Sequence, residues 1–199
     1  MIVIFRHGET EANQQHRLQG ITDSPLTEIG KLQVKLAAKH YLTNYHDCNK
    51  ESQLFSSDIG RSIQSAEIFS KIVKPSYAFQ CESLRERSWG DLDGVMGYPS
   101  PDLRLKNYIK LSEGCEFTST PPHGESVADL YERVSRLLDV NRIRYDDPNI
   151  IRIYHVHSFT SRVLRGIFLK ASPEVWLAFD NPHTIYFVFD GIKYFGVQP

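Results

Sequence analysis

Met1-Ile-Val-Ile-Phe5, running straight into Arg6-His-Gly-Glu-Thr10, is the stretch that decides the fold. Residues 2 to 5 are β-branched or aromatic with no polar alternation, which predicts a short strand buried on both faces, as in a parallel sheet. The chain turns at Gly8 and crosses a polar loop containing Gly20 and Pro25. Leu26, Ile29, Leu32, Leu36, Ala37 and Tyr41 then recur at helical spacing from a start near Thr27, and this stripe is expected to face the core. The same unit repeats. Gln53 to Ser56 predicts a second strand, and Ile59, Ile63, Ala66, Phe69 and Ile72 form one stripe of a following helix. A third strand is expected over 76–80. Ser126 and Asp129 have the spacing of a capping box, opening a helix through Val127, Leu130, Val134, Leu137 and Leu138 toward Arg144. Ile150 to Val156 is the longest strand signal, with a helix expected over 160–169 and another after Ser172-Pro-Glu174. Thr184 to Phe189 and Lys193 to Val197, on either side of Asp190-Gly191, predict a hairpin. Alternating strands and helices give an α/β fold whose central sheet is mostly parallel and flanked by helices. Residues 84 to 122 break that rhythm. Five glycines and prolines between Gly90 and Pro101, and a weak helical patch over 103–111, predict a small helical and loop excursion near 90–122.

The length of 199 residues suits one domain spanning 1–199. With 41% hydrophobic and 24% charged residues the composition is globular. A net charge of -1 argues against a dedicated nucleic-acid binder. Cys48, Cys81 and Cys115 form no C-x-x-C pair, so neither a disulfide framework nor a cysteine metal site is expected. Arg6, His7 and Glu9 interrupt the opening apolar run before a signal or membrane segment could form, so a cytoplasmic protein without a membrane partner is expected. Oligomeric state is not legible.

Ligands of open parallel sheets bind beyond the carboxyl ends of strands. His7 follows the first predicted strand, His157 follows the longest, and Arg61 lies shortly after the second. With Arg6 they bring two imidazoles and two guanidiniums toward one pocket. Guanidiniums present forked donors that match phosphate oxygens, and a neutral imidazole can attack phosphorus. For that attack one ring nitrogen of His7 must be bonded to a backbone carbonyl, leaving the other a lone pair; Gly8 is expected to permit close backbone approach.

Arg6-His-Gly-Glu-Thr10 with Asn13, Gln19-Gly20, Asp23-Ser-Pro-Leu-Thr27 and Gly30 resembles the opening signature of the histidine phosphatase superfamily, also called phosphoglycerate mutase-like. Ser56-Ser-Asp with Arg61, Leu84-Arg-Glu86, Gly124-Glu-Ser126 and His157 with Arg162 follow in family order across essentially the whole chain. The resemblance implies a three-layer fold and a metal-independent, cofactor-free phosphatase acting on a small phosphate ester. His7 would be the nucleophile, Glu86 the general acid, and Arg6, Arg61 and His157 the groups holding phosphoryl oxygens. Asn13, Gln19 and Gly20 would complete the phosphate and leaving-group contacts. Asp91 or Asp93 is the alternative acid.

The chain departs from the family pattern at Ser158-Phe159, where two glycines are usual, and at His123, where glycine is common. The Ser158 N–H stays available to phosphate at a helix N-terminus, while Phe159 is expected either to narrow the pocket or to displace the loop. His155, two residues from His157, is expected either to line the pocket floor or to be a core histidine bonded to backbone. Three activities remain open: a phosphomonoesterase, a phosphoglycerate mutase-type phosphoryl transferase, and a weakly active phospho-ligand-binding or protein-directed member. Ser88-Trp-Gly90, in place of the mutases' usual His-Tyr-Gly, and the lack of an adjacent arginine pair favour the first.

Overall fold

Strand β1 (Ile2–Arg6) sits inside the sheet, as its unbroken apolar run requires. It pairs in parallel with β4 (Ile150–Val156) and antiparallel with β5 (Tyr186–Phe189). The other side of β4 carries β2 (Glu51–Ser56) and then β3 (Tyr77–Gln80), both parallel, and β6 (Tyr194–Val197) closes the far edge antiparallel to β5. The order is β3-β2-β4-β1-β5-β6. The computed structural model describes residues 1–97, 99–140, 147–190 and 194–199. Within these lie the helices α1 (Glu11–Gln14), α2 (Glu28–Asn44), α3 (Gly60–Val73), α4 (Leu103–Ser112), α5 (Val127–Val140), α6 (Ser158–Leu169) and α7 (Pro173–Leu177). The expected ends of α5 near Arg144, and the turn at Gly191 with Lys193, fall outside the described residues.

Strand alternation sends side chains to two cores. Ile2, Ile4, Tyr154 and Val156 pack with Val127, Leu130, Val134, Val163 and Leu164 of α5 and α6. Val3, Phe5, Ile151 and Ile153 pack with Val34, Ala38, Tyr41, Ala66 and Phe69 of α2 and α3. Each fully buried Val, Leu, Ile or Phe among them contributes about 1.5–3 kcal/mol relative to exposure.

The face of α2 differs from expectation. Gly30, Val34, Ala38 and Tyr41 are buried, whereas Ile29, Leu32 and Leu36 are 57%, 55% and 50% exposed. The cause is a backbone contact. A Cβ on Gly30 would lie 2.0 Å from the Glu9 carbonyl oxygen, and one on Gly8 would lie 2.3 Å from the Gly30 carbonyl oxygen. That approach fixes the rotation of the helix, and the smaller side chains in line with Gly30 follow it inward. Gly8 thus permits a close backbone approach, as expected, and the backbone it approaches is that of Gly30.

Helix α6 begins at Ser158, earlier than the spacing predicted, with His157 as its N-cap. The capping box before α5 forms as read: the Ser126 hydroxyl and N–H both donate to the Asp129 carboxylate, and the Asp129 N–H donates back to the hydroxyl at 3.0 Å. The excursion has its own small core of Leu92, Val95 and Leu105. Arg87, buried, ties it to the main body, donating to the Glu125 carbonyl at 2.6 Å, to the Tyr108 hydroxyl and to the Ser119 carbonyl, with its guanidinium 4.5 Å from the centre of the Trp89 ring. No described helix is long and apolar enough to cross a membrane.

Candidate active site

Because β1, β2 and β4 run parallel, their carboxyl ends share one edge of the sheet, and the loops there bring His7, Arg61 and His157 together. The His7 N–H donates to the Val156 carbonyl at 3.0 Å, locking the end of β1 to β4. Its ring Nδ1 lies 2.8 Å from the Gly8 carbonyl oxygen. A carbonyl only accepts, so Nδ1 carries the proton and Nε2 keeps its lone pair. Burial pushes His7 well below the usual histidine range, with Arg61, His157, His183 and Arg6 pushing the same way. The imidazole is neutral.

The His157 ring centre is 5.2 Å from that of His7, and neither of its nitrogens has a partner among the described residues. Burial, then Arg61 and Arg6, hold it neutral as well. Arg61, in the first turn of α3 and fully buried, donates Nη1 to the Thr22 carbonyl at 2.8 Å and Nη2 to the Gly20 carbonyl at 2.7 Å. Its backbone N–H donates to Asp23 at 3.0 Å. Arg6 donates to the Asn181 carbonyl at 2.5 Å, and burial lowers it to about 10 despite Glu86. The Nε atoms of both arginines are buried without a partner among the described residues.

Glu86 is 4% exposed. It accepts the Arg87 N–H at 2.9 Å and the Phe159 N–H at 3.0 and 3.2 Å. Neither flanking arginine pairs with it: Arg85 forks onto Asp58 at 2.8 and 2.6 Å, and Arg87 is committed to the excursion. A groove of about 440 Å³ opens beside Glu86, bordered by Ile21, Ser83, Ser88 and His123. His123 has φ of 55°, the left-handed region that explains why glycine suits this position.

Asn13 and Gln19 both meet the Thr10 hydroxyl. Thr10 Oγ1 donates to Asn13 Oδ1 at 3.0 Å and accepts from Gln19 Nε2 at 2.7 Å and from the Asn13 N–H at 3.1 Å. Gly20 has both backbone groups engaged, the carbonyl by Arg61 and the N–H by Asp93 at 2.5 Å, so it shapes the loop and offers no donor of its own. The Ser158 N–H, in the first turn of α6, has no acceptor among the described residues.

The alternative acids lie elsewhere. Asp93 accepts the N–H groups of Gly20, Ile21 and Thr22, and Asp91 pairs with the exposed His123. His155 is a core histidine, as one of the two expectations has it, but lacks the expected backbone hydrogen bond among the described residues. Its ring stacks 4.9 Å from Phe5 and packs edge-on to Phe69, without a hydrogen bond, on a cavity of about 70 Å³ shared with Arg6 and His183.

Sequence reasoning missed His183. Its Nδ1 donates to the His7 carbonyl at 2.7 Å, its ring centre is 5.3 Å from that of His7, and burial lowers it to about 3. The signal was the hairpin. β5 runs antiparallel to β1, so the residues before it lie at the same edge as the carboxyl end of β1, where a rule based on strand carboxyl ends does not look.

A family model described as histidine phosphatase superfamily (branch 1) matches residues 2–192. "Phosphoglycerate mutase-like protein 4" of Arabidopsis thaliana is 26% identical over 196 residues, 97% of this chain and 81% of that protein. "Probable phosphoglycerate mutase GpmB" of Yersinia pestis is 32% identical over 141 residues, 69% of this chain and 61% of that protein. Among solved structures, a mycobacterial glucosyl-3-phosphoglycerate phosphatase superposes with a TM-score of 0.77 at 23% identity, covering 99% of this chain and 96% of that one. YhfR of Bacillus stearothermophilus gives 0.75 at 22% identity, covering 99% and 95%.

Proposed function

This chain belongs to the histidine phosphatase superfamily, and on that premise we propose that it hydrolyses small phosphomonoesters through a phosphohistidine at His7. The observation that carries this reading is a neutral imidazole of fixed tautomer, beside buried donors that no atom of the described residues satisfies: Arg6 Nε, Arg61 Nε and the ring of His157. Buried donors normally have partners, and phosphoryl oxygens are the acceptors that suit guanidinium and imidazole.

In the proposed reaction His7 Nε2 attacks phosphorus, and the bond from phosphorus to the ester oxygen breaks. Arg6, Arg61 and His157 hold the three non-bridging oxygens as charge spreads over them. Glu86 delivers a proton to the departing oxygen and later takes one from the water that attacks phosphohistidine, so one carboxyl serves both steps. Asn13, oriented through Thr10, and the Ser158 N–H supply further contacts to the phosphoryl group. The Thr10–Gln19 bond holds Gln19 beside them. The two arginines bring the positive charge, and the proposal includes no metal.

The test is a panel of phosphomonoesters, assayed for released phosphate with chelator present and with vanadate as inhibitor. Turnover in chelator, blocked by vanadate, is the expected result. Activity lost in chelator and restored by a divalent ion would contradict the mechanism. Mutase-type transfer is the second reading, favoured by the names of the Arabidopsis and Yersinia relatives; isomerised phosphoglycerate in place of free phosphate would establish it.

A further inference from the structure

Helix α2 is apolar on two sides. Gly30, Val34, Ala38 and Tyr41 face the sheet and are buried, while Ile29, Leu32 and Leu36 form a second stripe on the side turned away from it, each at least half exposed. Apolar residues gathered outside the core face of a helix mark a surface that takes a partner. The steps of three and then four residues are those of a seam against which a second helix packs. The seam is short. Its next two positions are Lys39 and Thr43, so the apolar part covers about 10 Å of helix and is centred between Leu32 and Gln33.

That patch reads almost the same from either end, with a large aliphatic side chain at each end and one leucine in the middle. Its charges share the property. Glu28 and Lys35 lie on one flank of the stripe, near its opposite ends, and both are exposed. Lys31 holds Glu28 at 2.6 Å, yet the Glu28 side chain stays 89% exposed and open to a second cation.

We propose that α2 is a self-association face, on which a second copy of this chain lays its own α2 antiparallel about a two-fold axis beside Leu32. Ile29 of each copy then meets Leu36 of the other, and the two Leu32 side chains meet at the axis. Glu28 of each copy faces Lys35 of the other, so one flank supplies two ion pairs. A parallel pair would set Glu28 beside Gln33 and leave both charges unmatched. A lipid surface fits less well, because the apolar part is only three side chains long and a carboxylate stands at its end. The inference does not depend on the hydrolase reading.

Sedimentation equilibrium of the intact chain tests it. A monomer–dimer equilibrium is expected with Kd on the order of tens of micromolar, as suits a patch below the standard interface size. Leu32→Glu sets two carboxylates together at the axis and should weaken association by about tenfold or more. Its thermal transition should stay in place, because Leu32 is 55% exposed. Glu28→Lys and Lys35→Glu should each weaken the dimer by about three- to tenfold. An equimolar mixture of those two variants should regain it, since both ion pairs re-form between unlike copies. A chain that stays monomeric up to about 1 mM overturns the proposal. So does a dimer that survives Leu32→Glu, one whose affinity ignores the charge reversals, or a mixture that regains nothing. Binding of the monomer to phosphatidylserine–phosphatidylcholine vesicles through Leu32, without self-association, would give the stripe to a lipid surface and overturn it as well.

Discussion

His155 and His157 stand two residues apart at the end of one strand, both buried, both with two ring nitrogens unpartnered among the described residues, and both held neutral by burial. Their surroundings differ. Around His155 are the rings of Phe5 and Phe69, and nothing charged contributes to its shift, which burial alone takes to about 3. His157 sits past the last sheet residue at the start of α6, 5.2 Å from another imidazole and within the fields of Arg6, Arg61 and Arg133. The same side chain is packing in one place and a candidate phosphate ligand in the other. What separates them is which cations face the ring.

That contrast fails most visibly if His7, at the centre of the charged cluster, proves dispensable. His7→Ala should reduce turnover to background while leaving the thermal transition in place, since the variant removes no large apolar contact; steady-state assay and calorimetry check both. Arg61→Lys keeps charge but loses the forked geometry, and kcat should fall by about 10²- to 10³-fold. An unchanged kcat would place Arg61 outside the reaction. Glu86→Gln should slow an alkyl phosphate by about 10²-fold or more, yet slow the first step much less with p-nitrophenyl phosphate, whose phenolate leaves unaided. Burst kinetics with the aryl ester should then reveal accumulated phosphoenzyme; equal loss of phosphorylation rate on both esters would remove Glu86 as proton donor. His183→Ala should cost about tenfold in kcat, of the order of one hydrogen bond lost from the His7 carbonyl, with His183→Asn recovering part of it.

The smallest effect on activity is expected at His155. His155→Phe should keep kcat within about twofold, because the ring already packs as an aromatic. Its signature is in pH-dependent stability instead. His7, His155, His157 and His183 all have folded values below the ordinary 6.5. Below that value the unfolded chain binds more protons than the folded one, so stability is lost as pH falls from about 6.5 toward the folded values, about 3 for His155 and His183. Each such imidazole adds a slope of about 1.4 kcal/mol per pH unit in that window. Removing His155 should make the slope shallower by one proton, measured as denaturant midpoints between pH 6.5 and 4.5. An unchanged slope would mean that His155 is not held neutral.

Where the sequence was readable, the reason is local. β1, β2 and β4 carry unbroken apolar or alternating runs, and the candidate residues sit within a few positions of their ends, so strand reading and site reading were one act. The face of α2 was not readable, because Ile29, Leu32 and Leu36 make a convincing apolar stripe and the contact that overrides them is backbone on backbone between Gly8, Glu9 and Gly30. The partners of Glu86 were hidden for another reason. Arg85 and Arg87 flank it in sequence but reach Asp58 and Tyr108, and its own donors include the N–H of Phe159, far along the chain. Asp91 and Asp93 looked equivalent to Glu86 as carboxylates near glycines, and only the folded chain shows them occupied by His123 and by the loop at 20–22.

The central claim is that the neutral imidazole of His7, and no other in the cluster, receives the phosphoryl group. The rings of His157 and His183 lie 5.2 and 5.3 Å from that of His7, so the measurement must identify the residue: rapid mixing with a radiolabelled phosphomonoester, denaturation at alkaline pH, where phosphohistidine survives, and peptide mapping of the label. The account predicts an acid-labile, alkali-stable phosphate on the peptide containing His7, absent from His7→Ala. Label on His157 or His183, or steady turnover with no trapped label under any quench, would contradict it.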